Sequence, residues 1–348
     1  MKKTLVLALF AIFAASANAA PKKVAKKVDN SPVFTVIKEN PITSIKNQNR
    51  SGTCWDYSTL AYFESEILKA TGKTYDLCES FVANKTYMDR AIQVVRMHGD
   101  AQFAQGGSCY DPLFCLENYG ICPEGAMPFP GSLTGDSLFN FNEFFSVMEP
   151  YVNAVAKNKS SKISNQWKPG LQGIIDSYLG KCPEKFTYEG KTYTPKQFAA
   201  SLGLDWNNYV TITSYTHHPF YTSFAVEVQD NWRMPQSYNV PMDEMMKIID
   251  NAVMNGYCIA WGGDVSEPGF TRDGLAYMVD GNKVQSLQGS DMARWLGLSP
   301  AKQRSLIDEL GAKVPEVTPT QKMRQDRYDT WELTDDHGML IFGIAKDQ

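Results

Sequence analysis

The sequence predicts an α+β fold, and three observations carry that prediction. Helical periodicity gathers in the first half, strand-like runs gather in the second, and no alternating strand-helix-strand pattern joins them. Residues 20–40 are rich in Lys and Val without a clear period and read as a flexible basic arm. From Trp55 to Lys69 the apolar positions Tyr57, Leu60, Phe63 and Ile67 recur at steps of three and four, which predicts an amphipathic helix stopped by Gly72. A second helix is predicted over Glu79–Val95 and a third over Phe139–Ala156, followed by the polar stretch Lys157–Asn165. Strands are predicted at Tyr209–Ser214, Phe224–Val228 and Met339–Ala345, each rich in β-branched or bulky apolar residues between turn formers. In Met242–Asn255, Met245, Ile248, Ile249, Ala252 and Val253 fall at helical spacing, read as a core-packing stripe. Residues 256–263 after it read as a buried strand.

Composition bounds the function. The 348 residues are 43% hydrophobic and 21% charged, with seven Trp, seventeen Tyr and eighteen Phe, which excludes an intrinsically disordered chain. Lys and Arg number 34 against 38 Asp and Glu, so there is no basic excess of the kind a nucleic-acid partner requires.

Met1-Lys2-Lys3 is a basic head, Thr4–Ala15 an apolar run, and Ala17-Asn18-Ala19 a small-x-small cleavage site, the pattern of a signal peptide spanning residues 1–19. The apolar run is too short to span a bilayer stably, and no later stretch is long and apolar enough, so the expectation is a protein exported to the periplasm or the medium with no membrane span. In such a compartment the seven cysteines, Cys54, Cys78, Cys109, Cys115, Cys122, Cys182 and Cys258, leave room for three disulfides and one free thiol, with several connectivities open. No Cys or His pair has the spacing of a structural zinc site, and neither a metal nor an organic cofactor is expected.

The most informative stretch is Asn47-Gln48-Asn49-Arg50-Ser51-Gly52-Thr53-Cys54-Trp55. A small Ser-Gly-Thr loop delivers Cys54 to the first turn of a helix, where unpaired N–H groups and the helix dipole lower a thiol's pKa. The same N–H groups can face an oxyanion, and the neutral amide of Gln48 can supply a second donor without quenching the thiolate. Gln-x5-Cys-Trp with Gly two residues before the Cys resembles the active-site block of the papain-like cysteine peptidases. The Ser-Gly-Thr-Cys-Trp form, preceded by Pro41-Ile42-Thr43 and Asn47-Gln48, resembles the bleomycin hydrolase and aminopeptidase C branch of that superfamily.

A nucleophilic Cys54 requires a base. His98, His217 and His218 read as polar loop residues, whereas His337 stands at the mouth of the apolar run Gly338–Ile344, where a rigid strand can present an imidazole across a cleft. That strand resembles the family's His-bearing strand. Gln105-Gly106-Gly107-Ser108, with Tyr119-Gly120-Ile121-Cys122-Pro123-Glu124 and Met127-Pro128-Phe129 after it, resembles the family's Gly-Gly segment and the stretch that follows. Gly106 and Gly107 would let an extended substrate backbone approach, and Trp55 beside the nucleophile joins them as a substrate-binding residue. Asn239-Val240-Pro241 and Trp261-Gly262-Gly263-Asp264-Val265 resemble the family's region between a helical insertion and the barrel.

The resemblance implies a papain-like fold over residues 41–348: a helical lobe bearing the nucleophile helix, an antiparallel β-barrel-like lobe, and a large insertion at about residues 143–239. Cys54 and His337 lie much further apart than the roughly 130–150 residues of the simple papain-like pattern, which favours the branch with large insertions. The branch's homo-oligomeric rings suggest a homo-oligomer here. None of residues 338–348 is an asparagine, so the Asn that orients the family's catalytic imidazole is not among them. The expectation is a chain truncated before its last barrel strands, and exo- against endo-cleavage stays open. The functional reading is an exported cysteine peptidase of aminopeptidase type, with a peptide or protein as substrate. A catalytically impaired peptide-binding relative and a Cys–His amidase or transpeptidase are the alternatives.

Overall fold

Helix α1 (Cys54–Thr71) is the structural axis, burying Trp55, Leu60, Phe63 and Ile67 and ending where Gly72 takes a left-handed conformation that sends its N–H to the Leu68 carbonyl. The structure is a computed structural model and describes residues 32–130, 138–271, 274–280 and 299–347. The signal-peptide reading falls outside the described residues, as does the arm up to residue 31. Helix α2 (Glu79–Arg96) turns Phe81, Val82, Tyr87, Ala91 and Val94 inward and packs on α3 (Tyr110–Asn118), α4 (Phe141–Ala156) and α5 (Trp167–Leu179). Asn140 caps α4 by accepting the Asn142 N–H at 3.3 Å. Phe141, Phe144 and Phe145 on its first turns make edge contacts with the Tyr87 ring at 5.1–6.1 Å, which locks α4 to α2. A hairpin of β2 (Phe186–Tyr188) and β3 (Lys191–Tyr193) turns through left-handed Glu189 and Gly190 and leads into α6 (Pro195–Ser201).

The second half is strand-bearing, as expected. β4 (Ile212–Thr213), β6 (Ser237–Asn239) and β5 (Ser223–Phe224) form a small mixed sheet in the order β4-β6-β5. After α7 (Met242–Met254), β7 (Ile259–Gly263) pairs antiparallel with β8 (His337–Ile341), Gly263 standing opposite His337. The chain passes Phe342 into β9 (Gly343–Asp347), which pairs antiparallel with β1 (Phe34–Glu39). Helices α8 (Pro300–Leu310) and α9 (Gln321–Asp329) lie between β7 and β8 in sequence. No helix among the described residues is long and apolar enough to cross a membrane.

Several expectations change. The described strands form short ladders of two or three, and no closed barrel is present among the described residues. The final apolar run is two strands, and each has a partner: residues 34–39, read as arm, supply the strand that covers β9. The segment 209–214 contributes two strand residues and 224–228 only Phe224, because both pair only with the three-residue β6. Of the apolar stripe of α7 only Val253 is fully buried; Met245, Ile249 and Ala252 are half-buried and Ile248 is exposed, so the stripe packs less deeply among the described residues than a core helix would. All seven cysteines are free thiols. The sequence left room for three disulfides, yet the positions suit apolar packing: Cys78, Cys115, Cys122 and Cys258 are buried.

Candidate active site

The loop before α1 is built to leave the helix N-terminus open. Gln48 Nε2 donates to the Ser51 carbonyl at 2.8 Å, and Ser51 Oγ donates to the Gln48 carbonyl at 2.8 Å, closing a tight loop. Thr53 occupies the N-cap position, but its hydroxyl lies 2.6 Å from Ser51 Oγ and makes no capping bond. The N–H groups of Cys54 and Trp55 are therefore left to the sulfur of Cys54, toward which both are directed.

Gln105 ties this loop to the Gly106-Gly107 segment. Its Oε1 accepts the Gly52 N–H at 2.8 Å, and its carbonyl accepts Trp55 Nε1 at 3.1 Å and the Tyr87 hydroxyl at 3.0 Å. Trp55 is 2% exposed, so it faces the core and acts on the cleft through this one hydrogen bond rather than by offering a ring to substrate. Glycine is required at 107, where a Cβ would come within 2.9 Å of both the Asp111 carboxylate and the Trp55 ring.

The opposite wall is β8. Gly338 sits directly on α1: a Cβ there would stand 2.8 Å from Ser58 Oγ and 3.0 Å from the Cys54 carbonyl oxygen. Its N–H donates to the Cys54 sulfur. The structure thus brings His337, the preceding residue, to the mouth of the nucleophile helix, although the atom of this strand that reaches the sulfur is the Gly338 N–H. The approach to β8 is clamped by two carboxylates: Asp336 Oδ1 accepts the Val265 N–H at 2.8 Å and Asp264 Oδ2 accepts the Thr334 N–H at 3.1 Å. Among the described residues no hydrogen bond reaches the His337 ring.

The charge at this site departs from the sequence expectation. Burial pushes the Cys54 thiol above its ordinary value, the N–H groups of Gly338, Trp55 and Cys54 pull it back, and the Asp230 carboxylate raises it again. The helix N-terminus acts in the expected direction and is outweighed. Asp230 comes from the region read as an insertion. Its carboxylate lies on the open face of Gly106, where a Cβ would run into it. Gly106 therefore meets an acidic side chain on the face where free space for a substrate backbone was expected.

Asp230 is held there by a buried framework. Arg90, 1% exposed, donates Nε to the Gln102 carbonyl at 3.1 Å and Nη1 to the Gly106 carbonyl, while its Nη2 stands 3.7 Å from Asp230 Oδ1. Arg233 grips α2 and α3 through Asp89 at 2.8 Å and Asp111 at 2.6 Å, and Gln93 Nε2 donates to the Trp232 carbonyl at 2.7 Å. Asp335 adds a second carboxyl, pushed up to about 6 by burial and then by the charge of Asp230. Sequence reasoning missed Asp230, Asp335 and Arg90. Arg90 alone carried a readable signal, an Arg on the same helical face as Tyr87, Ala91 and Val94, which implies a buried partner.

Comparison with known proteins agrees with this architecture. The model of the Peptidase C1-like family matches residues 3–292. Aminopeptidase C of Listeria monocytogenes is 23% identical over 287 residues, covering 72% of this chain and 64% of that protein. Aminopeptidase C of Lactobacillus delbrueckii is 24% identical over 300 residues, covering 74% and 66% respectively, so the chain spans a little under two thirds of the length of these relatives. Mouse pro-cathepsin H is 31% identical over a shorter stretch of 106 residues, covering 30% of this chain and 28% of that protein. The crystal structure of PepW from Lactobacillus rhamnosis superposes with a TM-score of 0.60 at 17% identity, covering 90% of this chain and 73% of that one, a likeness of fold. The chain belongs to the Peptidase C1-like family, as a papain-like member of its aminopeptidase C branch.

Proposed function

We propose that this protein is an exported cysteine peptidase that removes residues from the free amino end of peptides. The observation that carries the reading is the apposition of the uncapped α1 N-terminus, bearing Cys54, and the start of β8, bearing His337, with the Gly338 N–H on the sulfur between them. In the reaction, His337 takes the thiol proton and the Cys54 sulfur adds to the peptide carbonyl carbon. The oxygen becomes an oxyanion facing the Cys54 N–H and the Gln48 amide proton not engaged by Ser51. Collapse breaks the C–N bond as His337 gives its proton to the leaving amine. Water, deprotonated by His337, then releases the acyl group and restores the thiol.

Amino-end specificity rests on Asp230. A carboxylate seated on Gly106, next to the nucleophile, is an acceptor for a substrate ammonium group and an obstacle to a chain that continues past it. The names of the relatives, aminopeptidase C, support the same reading. Residues 41–348 are read as one peptidase domain, whose insertion at about 143–239 returns Asp230 to the cleft. Export rests on residues 1–19 and is tested by sequencing the amino terminus of the protein recovered outside the cytoplasm.

The test is hydrolysis of an aminoacyl-methylcoumarin amide. Wild type releases the fluorophore, Cys54→Ala does not, and an amino-acetylated copy of the substrate is cleaved poorly. Full activity in Cys54→Ala overturns the nucleophile assignment, and equal cleavage of the acetylated substrate overturns the amino-end specificity. A second reading, peptide binding without turnover, is favoured by the raised thiol and the unheld His337 ring. It predicts saturable peptide binding with no product.

A further inference from the structure

We propose that His217, His218 and Glu227 form a binding site for a divalent transition-metal ion of the zinc, cobalt or nickel type, separate from the cysteine site. The two imidazoles converge on one carboxylate: His217 Nε2 lies 3.1 Å from Glu227 Oε2 and His218 Nε2 lies 3.2 Å from Glu227 Oε1. One ligand atom from each of the three residues falls within 4.8 Å of the others. Ligand atoms about 2.0–2.2 Å from a tetrahedral ion lie roughly 3.3 Å from one another, so small side-chain adjustments let an ion replace the hydrogens now shared between these atoms.

The cluster is positioned from every side. The His217 ring stacks on Tyr328 at 5.6 Å and meets Phe224 edge-on at 5.4 Å, and the His218 ring stacks on Phe224 at 4.1 Å. Tyr328 donates its hydroxyl to the Glu227 carbonyl at 2.9 Å, which fixes that residue's backbone to α9. Buried Asn239 donates to the Tyr215 and His218 carbonyls at 2.8 and 3.0 Å and accepts the Tyr215 N–H at 2.9 Å, holding the backbone around both histidines. Rings set in this way lose little freedom when they ligate an ion.

The outer shell has the form such a site requires. His217 Nδ1 lies 3.4 Å from Gln325 Oε1 and 3.1 Å from Gln325 Nε2, so the Gln325 amide can accept from or donate to the nitrogen not used for the metal. A metal on His217 Nε2 requires the ring proton on Nδ1, where Gln325 Oε1 can accept it. Two imidazoles and one carboxylate form a borderline N/O set, which selects zinc-like ions over calcium or magnesium. Glu227 is 53% exposed on its side chain, leaving the far side of the ion open to water ligands. Glu227 also lies three residues before Asp230, so an ion here tethers the segment that carries Asp230 to α9 and to the histidine loop.

The test is titration of the full chain with cobalt(II), followed by calorimetry and by visible absorption. The expected result is one saturable ion per chain, with weak nitrogen- and oxygen-type ligand-field bands and no sulfur-to-cobalt charge-transfer band. His217→Ala and Glu227→Gln are each expected to weaken binding by at least about tenfold, and Cys54→Ser to leave it unchanged. Circular dichroism checks that each variant is folded, and Glu227→Gln, which keeps size and shape, decides the matter if His217→Ala is not. Absence of saturable binding, undiminished binding in folded Glu227→Gln, or a charge-transfer band that vanishes in Cys54→Ser overturns the proposal.

Discussion

A carboxylate beside a nucleophilic thiol works against ionisation of that thiol, and Asp230 does so at Cys54. This is tolerable where the same carboxylate meets a cationic substrate group, because binding then neutralises the charge that raises the thiol. Asp230→Asn is therefore expected to do two opposite things. With one negative charge gone, the Cys54 thiol falls toward its ordinary value, and alkylation by iodoacetamide at pH 7 becomes several-fold faster. With the ammonium acceptor gone, KM for substrates with a free amino end rises roughly tenfold while KM for acetylated ones does not. The Asp335 carboxyl, at about 6, adds a pH dependence of the same sign. Below that value it is protonated, the site loses a second negative charge, and KM for free-amine substrates rises as pH falls toward 5. At this scale Cys54, Gln48 and His337 were readable in the sequence as candidates, since their signals are local. It did not yield Asp230, because a lone Asp in a polar segment carries no sign of which distant glycine it will cover.

The elements that matter are α1 and β8, and their separation is set by a residue with no side chain. Gly338→Ala places a methyl carbon 3.0 Å from the Cys54 carbonyl and 2.8 Å from Ser58 Oγ, both of which belong to a packed helix. The strand must retreat, taking the Gly338 N–H off the sulfur and His337 away from the cleft. The expected outcome is a fall in kcat of about 100-fold with a smaller change in KM, measured by steady-state kinetics beside a thermal melt that shows the chain still folded. Helices α1, α2, α4 and α7 were legible in the sequence because their apolar spacing is a property of the segment itself. Their environment was not equally legible. The stripe of α7 has helical spacing, yet among the described residues only Val253 is fully buried and Ile248 is exposed, since periodicity reports which residues share a face and not what lies against it. The short strands at 212–213 and 223–224 depend on pairing with β6, a partnership invisible in either segment alone.

At the scale of the whole molecule, the loop that leads to Cys54 is anchored by one lysine among four acceptors. Lys46 Nζ lies 3.0 Å from buried Glu64, 3.0 Å from buried Glu79 and 2.6 Å from Asp76, and 3.4 Å from the Leu77 carbonyl, so it joins the loop to α1, to α2 and to the turn between them. Glu79 is already pushed up to about 8, chiefly by burial. Lys46→Met removes the only cation in this group and leaves buried acidic groups without a counter-charge, and is expected to destabilise the fold by about 3 kcal/mol in urea denaturation. The same long-range logic places Asp230. The segment read as an insertion, which sequence length reported only as excess chain, is held by Arg90, Gln93 and Arg233 and brings the Asp230 carboxylate to Cys54. The central claim is that the Cys54 sulfur becomes covalently acylated. The most direct measurement is acid-quench mass spectrometry of the protein mixed with an amino-acid nitrophenyl ester. An acyl adduct mapping to the peptide that contains Cys54, and absent in Cys54→Ala, is the predicted result. Ester turnover with no adduct, or an adduct on another residue, would contradict it.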